Sequence, residues 1–253
     1  MADDDRDPTS CSLIFFALGK KKVVHGLWRQ APGHKEQKLM LKFLANDFTL
    51  DRWKTAAMKN AYALLSKQRY EYAAAFFMLA GQFQDGINVC LRQLNDWQLG
   101  LALARVVEGR TDGPIYRRIV SETVLPLAFK GGHRWLGTWA FWMLGRRDLA
   151  VRVLIVSINC PSDCLISNDL QSPMIDVAND YSPEKPMRVG NPENDDPSLL
   201  LMFQHLKSKS LQTAKGTSEV SAKLEFDFVL HNARVFFRMG TCQLSSLNRK
   251  SHR

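Results

Sequence analysis

The sequence predicts an all-α fold, an α-solenoid of stacked helical hairpins with a long disordered acidic insert. Three observations lead there. Good helix formers (Ala, Leu, Lys, Gln, Arg, Met) dominate, and no segment alternates polar and apolar as a strand would. Amphipathic runs of roughly 12–18 residues follow one another with short connections, the pattern of stacked hairpins. An aromatic tract closed by glycine recurs along the chain. It reads Phe15-Phe16-Ala17-Leu18-Gly19, Phe76-Phe77-Met78-Leu79-Ala80-Gly81, Phe141-Trp142-Met143-Leu144-Gly145 and Phe236-Phe237-Arg238-Met239-Gly240.

The elements follow in order. Helices are expected near 9–29, 34–46, 50–67, 69–81, 84–94, 96–108, 113–130, 133–145, 147–158, 197–208 and 223–239. Pro8 and Thr9 suit the start of the first, and Asp96 is placed to cap the helix beginning at Trp97. Pro114 fits a first turn, where a missing N–H costs nothing. Gly81, Gly109, Gly131 and Gly145 follow apolar helical runs, where a left-handed cap favours glycine. In the repeat, the first three copies are spaced by intervals that hold about two hairpins each, at ~34–47 residues per hairpin. Adjacent large apolar residues near a helix end can touch both neighbouring hairpins. Phe76, Phe77, Phe141 and Trp142 are therefore expected inside. A compact, irregular helical domain is the competing architecture.

Composition divides the chain. Residues 1–8 form a flexible acidic N-terminus and 9–156 the helical solenoid. Residues 157–197 hold six of the ten prolines and eight acids against Lys185 and Arg188, and read as a Pro-rich loop or disordered insert. Residues 198–240 return to helices packing on the solenoid, and 241–253 form a flexible basic tail. The five Cys are scattered and odd in number, which fits a reducing, cytosolic compartment. The longest uncharged runs fall well short of the ~18–20 residues that cross a bilayer. The acidic Met1–Asp7 does not suit a secretory leader.

Chemistry is scarce. Gly19-Lys20-Lys21-Lys22 lacks the upstream Gly and following Ser/Thr of a phosphate loop. None of His25, His34, His133, His205, His231 and His252 forms a metalloprotease motif. Cys160 and Cys164 offer two thiolates where zinc needs four ligands. No nucleophile elbow occurs. The sequence therefore predicts no enzyme, no cofactor and no metal. Trp135, Trp139 and Trp142 form an i, i+4, i+7 row that reads as core packing, with a partner groove as the alternative. The net charge of +9 invites an acidic partner, and Lys20, Lys21, Lys22, Arg29, Arg146 and Arg147 are the candidate partner-binding residues. No nucleic-acid module is recognisable, and the aromatics fall on apolar faces, so nucleic acid is not the expected partner.

Asp7–Arg29 (DPTSCSLIFFALGKKKVVHGLWR) and Lys42–Gly109 resemble the C-terminal region of the large RAVE-complex subunit, the DmX-like or rabconnectin family. Arg134–Ile155 and Phe228–Gly240 are similar to it as well, while the acidic stretch and the chain beyond Gly240 depart from its pattern. The resemblance implies a non-enzymatic scaffold that promotes assembly of the vacuolar proton-transporting ATPase, and so acidification of vacuoles and endosomes. Implied partners are the peripheral-sector subunits of that ATPase, a second RAVE subunit and a Skp-type adaptor. The implied location is cytoplasmic, with recruitment to the vacuolar or endosomal membrane through those partners. The β-propellers that precede this region in the family have no counterpart here, and a truncated product is expected. Two other readings are a generic α-solenoid adaptor in vesicle trafficking and a basic nucleic-acid-binding helical protein.

Overall fold

The computed structural model describes residues 7–130, 133–155, 195–210 and 222–240. Among them there is no strand. The helices fall into two compact units, 1–119 and 120–253.

The first unit contains α1 (Pro8–Ala17), α2 (Lys21–Arg29), α3 (Gln37–Leu44), α4 (Asp51–Ser66), α5 (Tyr70–Leu79), α6 (Phe83–Arg92), α7 (Trp97–Glu108) and α8 (Pro114–Ile119). Consecutive helices pack on one another, as hairpin stacking requires, except at the α3–α4 step, where contact is slight. Two contacts go beyond nearest neighbours: α1 lies against α5 and, more lightly, against α7. With α4 and α6 also packed on it, α5 is enclosed, and Tyr72 through Met78 are all buried. Ala73-Ala74-Ala75 explains how neighbours approach so closely, since none presents more than a methyl group. The two rings of this copy of the repeat face different helices. Phe76 stacks on Phe43 of α3 at 5.7 Å, and Phe77 meets Tyr62 of α4 edge-on at 5.2 Å.

Caps appear where the sequence places them. The Asp96 carboxylate accepts from the Leu99 N–H at 2.9 Å. Asp7 does the same for Thr9 and so starts α1. The glycines ending all four copies of the repeat, Gly19, Gly81, Gly145 and Gly240, have φ between 69° and 79°. Gly109 is left-handed too, and Gly131 lies outside the described residues.

The second unit contains a π-helical turn (Val120–Val124), α9 (Leu125–Lys130), α10 (Arg134–Met143), α11 (Arg147–Ile155), α12 (Ser198–Ser210) and α13 (Ala222–Arg238). Its core joins Val151, Leu154 and Ile155 of α11 to Leu199 and Phe203 of α12 and Phe228 of α13. Buried Arg134 starts α10 and donates from Nη1 to the Val153 and Leu154 carbonyls at 2.9 and 3.0 Å. These carbonyls lie in the last turn of α11, so a cation meets the negative pole of a helix.

Three expectations are corrected, and the fourth copy of the repeat departs from the others. The single helix at 9–29 breaks into α1 and α2, because left-handed Gly19 cannot continue a right-handed helix. The single helix at 113–130 is interrupted by the π turn. Pro126 has no N–H for the carbonyl of Glu122 four residues back, and a wider turn accommodates that loss. Trp142 is half-buried rather than enclosed, with the Arg147 guanidinium 5.1 Å over its ring. In the fourth copy, Phe237 is 73% exposed, since α13 buries the face carrying Phe228, Asn232 and Val235 instead. Residues 156–194 and 241–253 lie outside the described residues. Asp195 and Asp196 at the end of the acidic stretch are described. The first bonds His231 at 2.7 Å, and the second caps α12 through the Ser198 N–H at 2.9 Å.

Candidate functional site

The densest group of ionisable side chains in the first unit is structural. Arg69 donates to Glu36 Oε1 at 2.6 Å and lies 5.0 Å over the Tyr72 ring. His34 Nδ1 accepts the Glu36 N–H at 3.1 Å, and its Nε2 is 3.8 Å from Asp7. Burial pushes the Asp7 carboxyl up, but hydrogen bonds from Thr9 and the charges of His34 and Arg69 outweigh it and hold the acid below its ordinary value. Burial also raises the Tyr72 phenol, which keeps it neutral. The Tyr72 hydroxyl and the Trp28 indole N–H are buried without a hydrogen-bond partner among the described residues. The group ties α1, the α2–α3 turn and α5 together. Among the described residues, no three His, Cys, Asp or Glu side chains gather as metal ligands.

The surface is more informative. A hollow of about 400 Å³ opens beside the C-terminal ends of α1 and α5, lined by Phe16, Phe48, Met78, Phe83, Lys21 and Lys54 among others. Lys21 is already occupied there. It donates to the Asn46 carbonyl at 2.6 Å and lies 5.1 Å over the Phe48 ring. Lys20, Lys22 and Arg29 are exposed. In the second unit, Arg146 is half-buried between α10 and α11, and exposed Arg147 covers Trp142. The six candidate cations thus divide between the two units.

The tryptophan row is core only in part, with Trp142 packed against the cluster of Val151, Leu154 and Phe228. Trp135 is 43% exposed and donates from Nε1 to Asp196 Oδ2 at 2.6 Å; Trp139 and Trp142 are half-buried. The face of α10 turned inward carries Arg134, Thr138 and Phe141. Burial pushes the Asp196 carboxyl up, but hydrogen bonds from Ser198 and Trp135 prevail and lower it. On α13 a second apolar stripe, Phe226, Leu230, Ala233 and Phe237, runs opposite the buried one, with both Phe rings exposed.

The sequence reading missed Lys35, Lys38 and Lys42, which are exposed along the α2–α3 pair with Leu39. The available signal was charge balance. Residues 20–46 contain seven Lys/Arg and a single acid, Glu36.

The RAVE protein 1 C terminal family model matches residues 1–248. The match spans the acidic stretch and passes Gly240, whereas the sequence reading ends the resemblance at both places. Regulator of V-ATPase in vacuolar membrane protein 1 of Schizosaccharomyces pombe is 40% identical over 252 residues, covering 96% of this chain and 19% of that protein. The protein of the same name from Saccharomyces cerevisiae is 35% identical over 238 residues, 94% of this chain and 16% of its own length. Human DmX-like protein 1 is 42% identical over 120 residues, 47% of this chain and 4% of that protein. The chain therefore spans less than a fifth of the length of these relatives.

Proposed function

This chain belongs to the RAVE protein 1 C-terminal family, and from that membership we propose that it is a non-enzymatic docking body serving assembly of the vacuolar proton-transporting ATPase. The observation that carries the reading is identity of 35–40% over nearly the whole chain with two proteins named as regulators of that ATPase. The helical architecture supports it. Helices that bury one another's apolar faces leave an outer wall for partners.

In this reading the chain works by holding parts of the ATPase near one another. A second contact then becomes intramolecular, and its rate is governed by effective concentration rather than by bond chemistry. Lys20, Lys22, Arg29 and Arg147 are offered to partners, while Lys21 and Arg146 support the fold around them. Exposed cations steer encounter with acidic surfaces, and their effect fades as salt shortens the Debye length. The partners are the peripheral-sector subunits, a second RAVE subunit and a Skp-type adaptor. Membrane association runs through them. Among the described residues no helix is long and apolar enough to cross a membrane.

The test is affinity capture from a fungal cytosol with this chain as bait. Enrichment of peripheral-sector ATPase subunits and of the second RAVE subunit is expected. Recovery of vesicle coat or tether proteins in their place would favour a trafficking adaptor and refute the assembly reading.

A further inference from the structure

The α2–α3 pair carries two rows of cations on one outer face. Lys22 and Arg29 are seven residues apart on α2, two turns along one side, while Val24 and Trp28 on the opposite side are buried. Lys38 and Lys42 are four residues apart on α3, opposite buried Met40 and Leu44. The two helices run antiparallel. Lys21 at the start of α2 bonds the carbonyl of Asn46 just beyond α3, and Gln37 at the start of α3 bonds the carbonyl of Trp28 at the end of α2, at 2.9 Å. Lys22 therefore lies toward the Lys42 end and Arg29 toward the Lys38 end, with Lys35 in the turn between the helices.

Among the described residues no carboxylate answers these charges: Lys22, Arg29, Lys35, Lys38 and Lys42 make no ion pair, and Glu36 is committed to Arg69. Leu39 is 72% exposed among Lys35, Lys38 and Lys42. Packed helix axes lie about 8–10 Å apart, so the two rows flank a shallow furrow narrow enough for one chain to reach both.

We propose that this face binds an acidic protein segment laid along the furrow, its carboxylates pairing with both lysine and arginine rows and one apolar side chain reaching over the α3 row to Leu39. That residue stands about 200° round the helix from Gln37, and so on the side away from α2. The aromatics of the pair argue against the other polyanions. Trp28 is fully buried, and Phe43 is enclosed by Phe48, Trp53 and Phe76. Neither of these two rings is left for stacking nucleic-acid bases or for anchoring in a lipid interface. A second copy of this face would bring like charges together. The proposal rests on the reading of the chain as a docking body, and names the chemistry of a partner.

The experiment titrates the full chain against a labelled synthetic peptide of Glu and Asp with one central Leu, read by fluorescence anisotropy. Binding is expected to weaken at least ~10-fold in Lys38→Glu/Lys42→Glu. Leu39→Ser should weaken it severalfold, and the same loss should appear when Ser replaces the peptide's Leu. Combining the two Ser changes should add little further. Lys223→Glu, in the other unit, is the charge control and should leave binding within ~2-fold. Melting temperature checks that each exposed substitution leaves the fold intact. Peptide binding indifferent to Lys38 and Lys42, or equal for peptides with and without Leu, overturns the proposal. So does tighter binding to phosphatidylserine vesicles or to an RNA oligonucleotide, or self-association through this face. Capture of ATPase subunits without peptide binding sinks this proposal alone. Peptide binding without that capture sinks the assembly reading alone.

Discussion

Phe141 and Phe237 both belong to copies of one repeated tract, the first leading its copy and the second standing one place later, and one is fully buried while the other is 73% exposed. Phe141→Ala should cost about 3–5 kcal/mol, the range for emptying an aromatic site in a core. Phe237→Ala should stay within ~0.5 kcal/mol. Urea melts of the two variants give the comparison, and equal losses would contradict the burial pattern. Cys90 offers a second residue-level check. Burial raises its thiol to about 12, so little thiolate forms at neutral pH. Exposed Cys11 should take up iodoacetamide in the native protein, while Cys90 reacts only after unfolding. Peptide mapping after a timed pulse separates the two. At this scale the sequence was only partly readable. The tract FFxxG announces a helix end, but which ring turns inward depends on which face the helix buries. That choice is made by distant partners: Phe228 and Val235 win on α13, and nothing local at Phe237 records it.

Helix positions were far more legible, because capping and termination are local. Asp96 and Asp7 accept backbone N–H groups a few residues away, and each repeat glycine sits in the left-handed region that its sequence context calls for. The exceptions have physical reasons. Lys20–Lys22 and the residues after them are compatible with helix, which masks the break at Gly19. Pro126 signals a disturbance but not its form as a π turn. The α1–α5 packing joins segments far apart in sequence and leaves no local trace, though the Ala73–Ala75 run hints at a crowded helix. Two glycine substitutions test the local logic. Gly81 has φ 79°, so Gly81→Ala should cost about 1–2 kcal/mol although its side chain would meet open space. Gly26 lies within α2, with open space where a Cβ would stand, so Gly26→Ala should stabilise by about 0.5–1 kcal/mol. Melts of both should move in opposite directions.

At the scale of the molecule, stacking of helices explains both what is present and where function resides. The helices consume their apolar faces on one another, most completely around α5, and the ionisable cluster at Asp7, His34, Glu36 and Arg69 is used in holding three segments together. What remains for partners is surface: the cationic α2–α3 face, the outer stripe of α13 and the half-open tryptophan row of α10. The family was legible because long runs of the chain carry its pattern. The candidate interface was legible only in its cationic character, since Lys21 looks identical to Lys20 and Lys22 until the fold hands it a carbonyl and a ring. The central claim is that this chain serves as a docking body in ATPase assembly. Its most direct measurement is vacuolar pH in Saccharomyces cerevisiae whose regulator of V-ATPase in vacuolar membrane protein 1 has its matching segment replaced by this chain. The account predicts acidification close to that of the unaltered strain, and well above that of a strain lacking the segment. A chimera present at normal abundance whose vacuoles stay as alkaline as those of the deletion would contradict it.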